Sequence, residues 1–176
     1  MMRRELFQPL PDEANTDFAM PLMVLAQGYE TRFDKNARVW SLFPASQEAV
    51  IKRRKRTIIR ALTTIATYKH RLSWKVRLVL FWHKTARFYL LPVQGTVLVA
   101  NLVLASTSPS LLWVTLFLAQ LTFYSSVVLG WVSARFNLKI PLVYLSYQFT
   151  LQHAVAFTAV LAFHLGQRVS KWTPPR

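Results

Sequence analysis

Two places in this 176-residue sequence hold side chains that could do chemistry: Asp17, at the start of an expected helix, and the basic run that contains Arg53 and Arg56. Asp17 follows Asn15 and Thr16, either of which can cap a helix over about residues 17–27. A carboxylate in a first helical turn is stabilised by unpaired backbone N–H groups and the helix dipole. It can act there as a general base that accepts a proton, or it can be there for the local electrostatic reason alone. Arg53 and Arg56 belong to the run Lys52-Arg53-Arg54-Lys55-Arg56. A guanidinium fork binds phosphate oxygens two at a time. Five consecutive basic residues cannot all point into one site, so most of the run reads as a solvated or membrane-facing helix face. A basic helix with aromatic neighbours can also follow a nucleic-acid backbone. These charges precede apolar spans, where basic residues are expected anyway, so no nucleic-acid partner is assigned. His70, His83 and His164 have no metal-ligand partners at suitable spacing, and the absence of cysteine removes disulfides, thiolate zinc sites and cysteine nucleophiles.

The elements that must position these groups follow from composition. The chain is 53% hydrophobic and yet carries a net charge of +15, which suits neither an ordinary soluble domain nor a disordered basic tail. All seven acids lie within the first 48 residues, and 17 of the 22 Lys and Arg lie within the first 87. A polar, basic N-terminal half is therefore joined to an apolar C-terminal half. That second half holds three uncharged runs, at about 88–106, 110–131 and 141–165. Each approaches the roughly 20 apolar residues that cross a bilayer, and in hydrocarbon they should be helices. Tyr89, Trp113, Trp131 and Tyr144 fall near their ends, as interfacial aromatics do.

Charge sets the expected topology. The basic N-terminal half is expected in the cytoplasm, as is the loop with Arg135 and Lys139, with the Thr107–Pro109 turn outside. This implies a multi-pass protein of the inner (cytoplasmic) membrane, whose basic tail, with Arg168, Lys171 and Arg176, falls on the far side. Residues 73–87 mix Lys75, Arg77, Lys84 and Arg87 with Trp74, Leu78, Phe81 and Trp82. They read as an amphipathic helix lying in the interface of the lipid bilayer.

The first 72 residues read as mixed α/β. After the helix at 17–27, Gly28 suits a left-handed C-terminal cap. Residues 29–33 and 37–41 read as short strands around an Asp34-Lys35-Asn36 turn. Ser46 can cap a second helix over about 47–68. Two short strands need further strands beside them, so this soluble part reads as incomplete. The fold class expected is an α-rich membrane protein: a partial α/β segment (1–72), an interfacial helix (73–87) and a transmembrane region with three helices and a short basic tail (88–176).

The ordered motifs carry a resemblance. Arg3 to Trp40, RRELFQPLPDEANTDFAMPLMVLAQGYETRFDKNARVW, is followed by Glu48, the basic run, and Arg56-Thr57-Ile58-Ile59-Arg60. The pair His83-Lys84, three apolar runs and a tail with Lys171-Trp172-Thr173-Pro174 complete the series. In that order they resemble the C-terminal part of membrane-bound family 2 glycosyltransferases, the bacterial enzymes related to cellulose and hyaluronan synthases. The resemblance implies the distal part of a GT-A catalytic domain. It implies Asp17 as the catalytic base that takes the acceptor hydroxyl's proton. It places Arg53 and Arg56 beside the acceptor and the leaving diphosphate, although Thr57 stands where the family has a tryptophan.

The family's donor-binding half carries an Asp-x-Asp element for the nucleotide sugar and a divalent Mg or Mn ion. No such element is present here: the paired acids Asp12-Glu13 are adjacent. The metal is thus expected for a full-length enzyme and not for this chain alone. The chain is expected to be a portion that is inactive without a separate N-terminal glycosyltransferase half, transferring sugar from a nucleotide-sugar donor to a saccharide or lipid acceptor only in the complete enzyme. The alternative is a small non-enzymatic basic membrane protein that docks a partner or anionic lipid.

Overall fold

The computed structural model describes residues 4–40, 46–138 and 140–169. Ser41, Lys139 and the tail residues Lys171, Trp172, Thr173, Pro174 and Arg176 lie outside them. Among the described residues six α-helices come in order: α1 Thr16–Ala26, α2 Gln47–Tyr68, α3 Trp74–Leu80, α4 Leu90–Thr107, α5 Leu111–Arg135 and α6 Pro141–His164. The chain divides into two compact units, Met1–Ala86 with Thr158–Arg176, and Arg87–Phe157.

Local signals place most of these elements. Ser46 caps α2, its hydroxyl accepting from the Ala49 N–H at 3.2 Å. Ser46→Ala should cost about 1 kcal/mol, read as a lower unfolding midpoint with earlier exchange of the first α2 amides. Ser73 and Ser110 cap α3 and α5 in the same way. Gly28, at φ +83°, ends α1 in the left-handed region, with the Tyr29 N–H returning to the Val24 carbonyl at 3.2 Å as a Schellman closure requires.

The expected α/β character of the first 72 residues is not found: among the described residues there is no strand. The turn between the two expected strands does form, with the Asn36 N–H donating to Asp34 Oδ1 at 2.9 Å. A turn needs only neighbours in sequence, whereas a strand needs a partner for its N–H and C=O groups and for its apolar face. None is supplied among the described residues. Phe33, Val39 and Trp40 are left 89–91% exposed.

The first unit is organised by α1 and α2. Ala14, Ala19, Leu22, Met23, Tyr68 and Leu72 form a buried apolar cluster. Asn15, Thr64 and Arg60 tie the same two helices through polar contacts. Pro21 lies inside α1, where its missing N–H leaves the Asp17 carbonyl without the usual helical donor.

Residues 73–87, expected as a separate interfacial helix, are helical but run without a break into the first apolar helix. After α3 come a π turn at Phe81–Thr85 and a 3₁₀ turn at Ala86–Tyr89, then α4. Uncharged residues beyond Arg87 give the chain no capping or breaking signal before Leu90.

In the second unit, α4 and α5 pair in opposite directions across the Ser108–Ser110 turn. Asn101 Nδ2 donates to Gln120 Oε1 at 3.1 Å, and the Tyr124 hydroxyl donates to the Gln94 carbonyl at 3.3 Å. Polar side chains joining helices in this way are typical of membrane bundles. Gly130 of α5 lies against the Val143 carbonyl and Tyr147.

Two helical runs, Trp74–Thr107 and Leu111–Arg135, are long and apolar enough to cross a membrane, and both are almost wholly unburied. Helices of that length in a soluble core would be covered. The run expected as a third span is a helix, α6, within a residue of its expected end, but it is not among the runs apolar enough to cross a membrane. Gln148, Gln152 and His153 make it less apolar than the other two.

Candidate functional site

Asp17 occupies the first turn of α1, exposed to solvent. Among the described residues its carboxylate has no hydrogen-bond or ion-pair partner. The turn beneath it is held by α2 rather than by a side-chain cap. Asn15 takes the N-cap position, but its side chain makes no capping bond. Its backbone N–H donates instead to Thr64 Oγ1 at 3.1 Å, and that hydroxyl donates to the Arg60 carbonyl at 2.8 Å. Thr64 is fully buried, so one hydroxyl satisfies two backbone groups where water does not reach. Arg60 completes the hold, its Nη2 donating to the carbonyls of Asp12 and Ala14.

These contacts fix the register of α1 on α2. Ala14 meets Arg60, Asn15 meets Thr64, and Ala19, Leu22 and Met23 share a cluster with Tyr68 and Leu72, so the two helices run in the same direction. Asp17 is therefore level with the Thr64–Tyr68 turn. Arg56 lies about 12 Å back along α2 from Thr64, and Arg53 about 16 Å, at the usual helical rise. The backbone places Asp17 on one side of the Arg60 clamp and Arg53 and Arg56 on the other.

Arg53, Arg56 and Arg60 share one face of α2, three and four residues apart. Burial lowers the pKa of the half-buried Arg56, and the charges of Arg60 and Arg53 lower it further. A guanidinium crowded by two others in this way is an electrostatic setting that a nearby anion relieves. At the start of the same helix, Glu48 and Lys52 pair at 2.7 Å. The hydrogen bond from Lys52, and then its charge, lower the Glu48 pKa. Because the folded value lies below the unfolded one, this contribution to stability is present above the ordinary carboxylate pKa. It is lost as pH falls through the lowered value. Carboxyl NMR should give Glu48 a midpoint below the ordinary carboxylate range, and Lys52→Met should return it to that range.

Arg60 and Thr64 are not among the candidates that residue type alone suggests. Their signal is spacing: 53, 56, 60 and 64 form one stripe on α2, which passes from the basic run onto the face that meets α1. A third contributor is Lys84, carried by the π turn, whose Nζ lies 4.2 Å from the centre of the Phe18 ring next to Asp17. Among the described residues no three His, Cys, Asp or Glu side chains come together as a metal site needs.

No family model, curated protein or solved structure matches the chain.

Proposed function

We propose that this chain is the C-terminal portion of a membrane-bound family 2 glycosyltransferase. It moves a sugar from a nucleotide-sugar donor to a saccharide or lipid acceptor when completed by a donor-binding half. The observation that carries the reading is Asp17: a solvent-facing carboxylate without a partner among the described residues, on a helix turn that a buried network holds in place. A general base needs both properties, access to the acceptor and a fixed position. In the transfer, Asp17 takes the acceptor hydroxyl's proton, the acceptor oxygen bonds to the anomeric carbon, and the nucleoside diphosphate leaves with the bonding pair. Arg53 and Arg56 offer charge for that diphosphate.

The exposed 29–40 segment supports the reading that another half is needed. It has a formed turn flanked by Phe33, Val39 and Trp40 in solvent, the pattern of two strands whose sheet is supplied elsewhere. The uncharged α6, 24 residues long, is read as a third span. The basic N-terminal half is read as cytoplasmic at the inner membrane.

Purified chain alone, with donor sugar and Mg²⁺ or Mn²⁺, should give no transfer. Co-expressed with a donor-binding half, it should give transfer that Asp17→Asn lowers by about 10²–10⁴-fold without loss of folded protein. Turnover by the chain alone would overturn the portion reading. Unchanged turnover in Asp17→Asn would remove Asp17 from the chemistry, and no transfer with a donor-binding half would leave the non-enzymatic lipid- or partner-docking protein as the reading.

A further inference from the structure

The segment after α2 has two distinct sides. Leu72, Val76, Leu80 and Lys84 recur every fourth residue and all turn inward. Leu72 is buried in the α1 cluster, Val76 and Leu80 pack against it, and Lys84 lies over Phe18. A straight α-helix would carry a four-residue stripe round its surface, since 3.6 residues make a turn. The π turn at Phe81–Thr85 takes more residues per turn and so keeps Lys84 in line with Leu80. The other side is exposed: Trp74, Leu78, Phe81 and Trp82 are 49–66% accessible, interleaved with exposed Lys75 and Arg77.

We propose that this segment couples the membrane surface to the Asp17 helix. The outer side rests on anionic headgroups, and the inner stripe holds α1, so that Asp17 is set at the bilayer surface only when the lipid is anionic. The occupant is identified by three features. The helical run from Trp74 continues through apolar residues to Thr107. No acid follows Glu48 to oppose the basic residues. Amphipathic rings among basic side chains match the headgroup layer, with each basic residue favouring an anionic surface about fivefold. The inference rests on the proposed role of Asp17 for its functional meaning, while its physical content is a lipid-dependent placement of α1.

The test uses the full chain in nanodiscs of phosphatidylcholine, with and without phosphatidylglycerol. The sequence has no cysteine, so Thr16→Cys, on an exposed residue of α1, accepts a single spin label. In anionic discs the label should lose mobility, and its accessibility should shift from a water-soluble nickel relaxant toward oxygen. Lys75→Glu with Arg77→Glu should abolish that shift. Lys84→Met should also abolish it while leaving quenching of Trp74 and Trp82 by brominated lipid intact. The same spectrum in both lipids, or a shift that survives charge reversal, overturns the proposal. A shift that survives Lys84→Met, or quenching lost together with it, overturns the coupling. Because no readout depends on sugar transfer, a chain that keeps this response but supports no transfer overturns the enzymatic reading alone.

Discussion

Gly130→Ala should destabilise the chain by about 1–3 kcal/mol, and Gly130→Leu by more. A Cβ at this position would run into the Val143 carbonyl oxygen and lie 2.7 Å from Tyr147 Cβ. The first obstacle is backbone, so no rotamer change relieves it and α5 and α6 must move apart. Gly95, inside α4, is the control. Nothing lies within 4 Å of its Cβ position, and alanine there should leave stability unchanged or raise it by up to about 1 kcal/mol. Unfolding midpoints in one detergent measure both. Equal effects at the two glycines would show that helix propensity, and not the close approach at Gly130, decides stability here.

Thr64→Val is expected to loosen α1 from α2 at a cost of about 1–3 kcal/mol. Valine keeps the shape and removes the hydroxyl, so the Asn15 N–H loses its acceptor in a site without water. Thr64→Ser retains the hydroxyl and should cost only the buried methyl, about 1 kcal/mol. Arg60→Met removes the donor to the Asp12 and Ala14 carbonyls and should cost about 1.5–3 kcal/mol, as bonds to charged groups do. Both changes release the same four-residue stretch before α1, so the double variant should cost less than the sum. Hydrogen exchange is the discriminating readout: the α1 amides should lose protection while the middle of α2 keeps it. Uniform loss across both helices would show that the polar contacts are incidental to the apolar cluster.

The elements legible from the residues alone share one physical trait: their signals are local. Ser46, Ser73 and Ser110 cap helices because a hydroxyl needs only the N–H three residues on. Gly28 ends α1 because it enters the left-handed region without a Cβ clash. The Asp34 turn closes on its own side chain. The uncharged runs form helices because each helical backbone group finds its partner within its own segment. Residues 29–33 and 37–41 carry equally clear strand character, and that is not enough. Their partners must come from outside the segment, and none is supplied by the described residues.

The candidate site divides along the same line. The types of Asp17, Arg53 and Arg56 are evident from the sequence, and so is the helix that presents each. Their separation along α2 is not, because it depends on which α2 residue meets Asn15. Nor is the importance of Arg60 and Thr64 evident, since a threonine among Ile, Ala and Leu looks like filler until its hydroxyl is seen to take a backbone N–H from another helix. By itself the sequence determined where most of the helices begin and end, where charge stops and apolar chain begins, and which side chains could do chemistry. The tertiary structure decided which glycine tolerates a methyl group, which face of the Trp74–Thr85 segment meets α1, and which of four stacked residues on α2 hold the Asp17 turn. Those outcomes turn on the approach of chain segments far apart in sequence, and contact distance is a property no local pattern encodes.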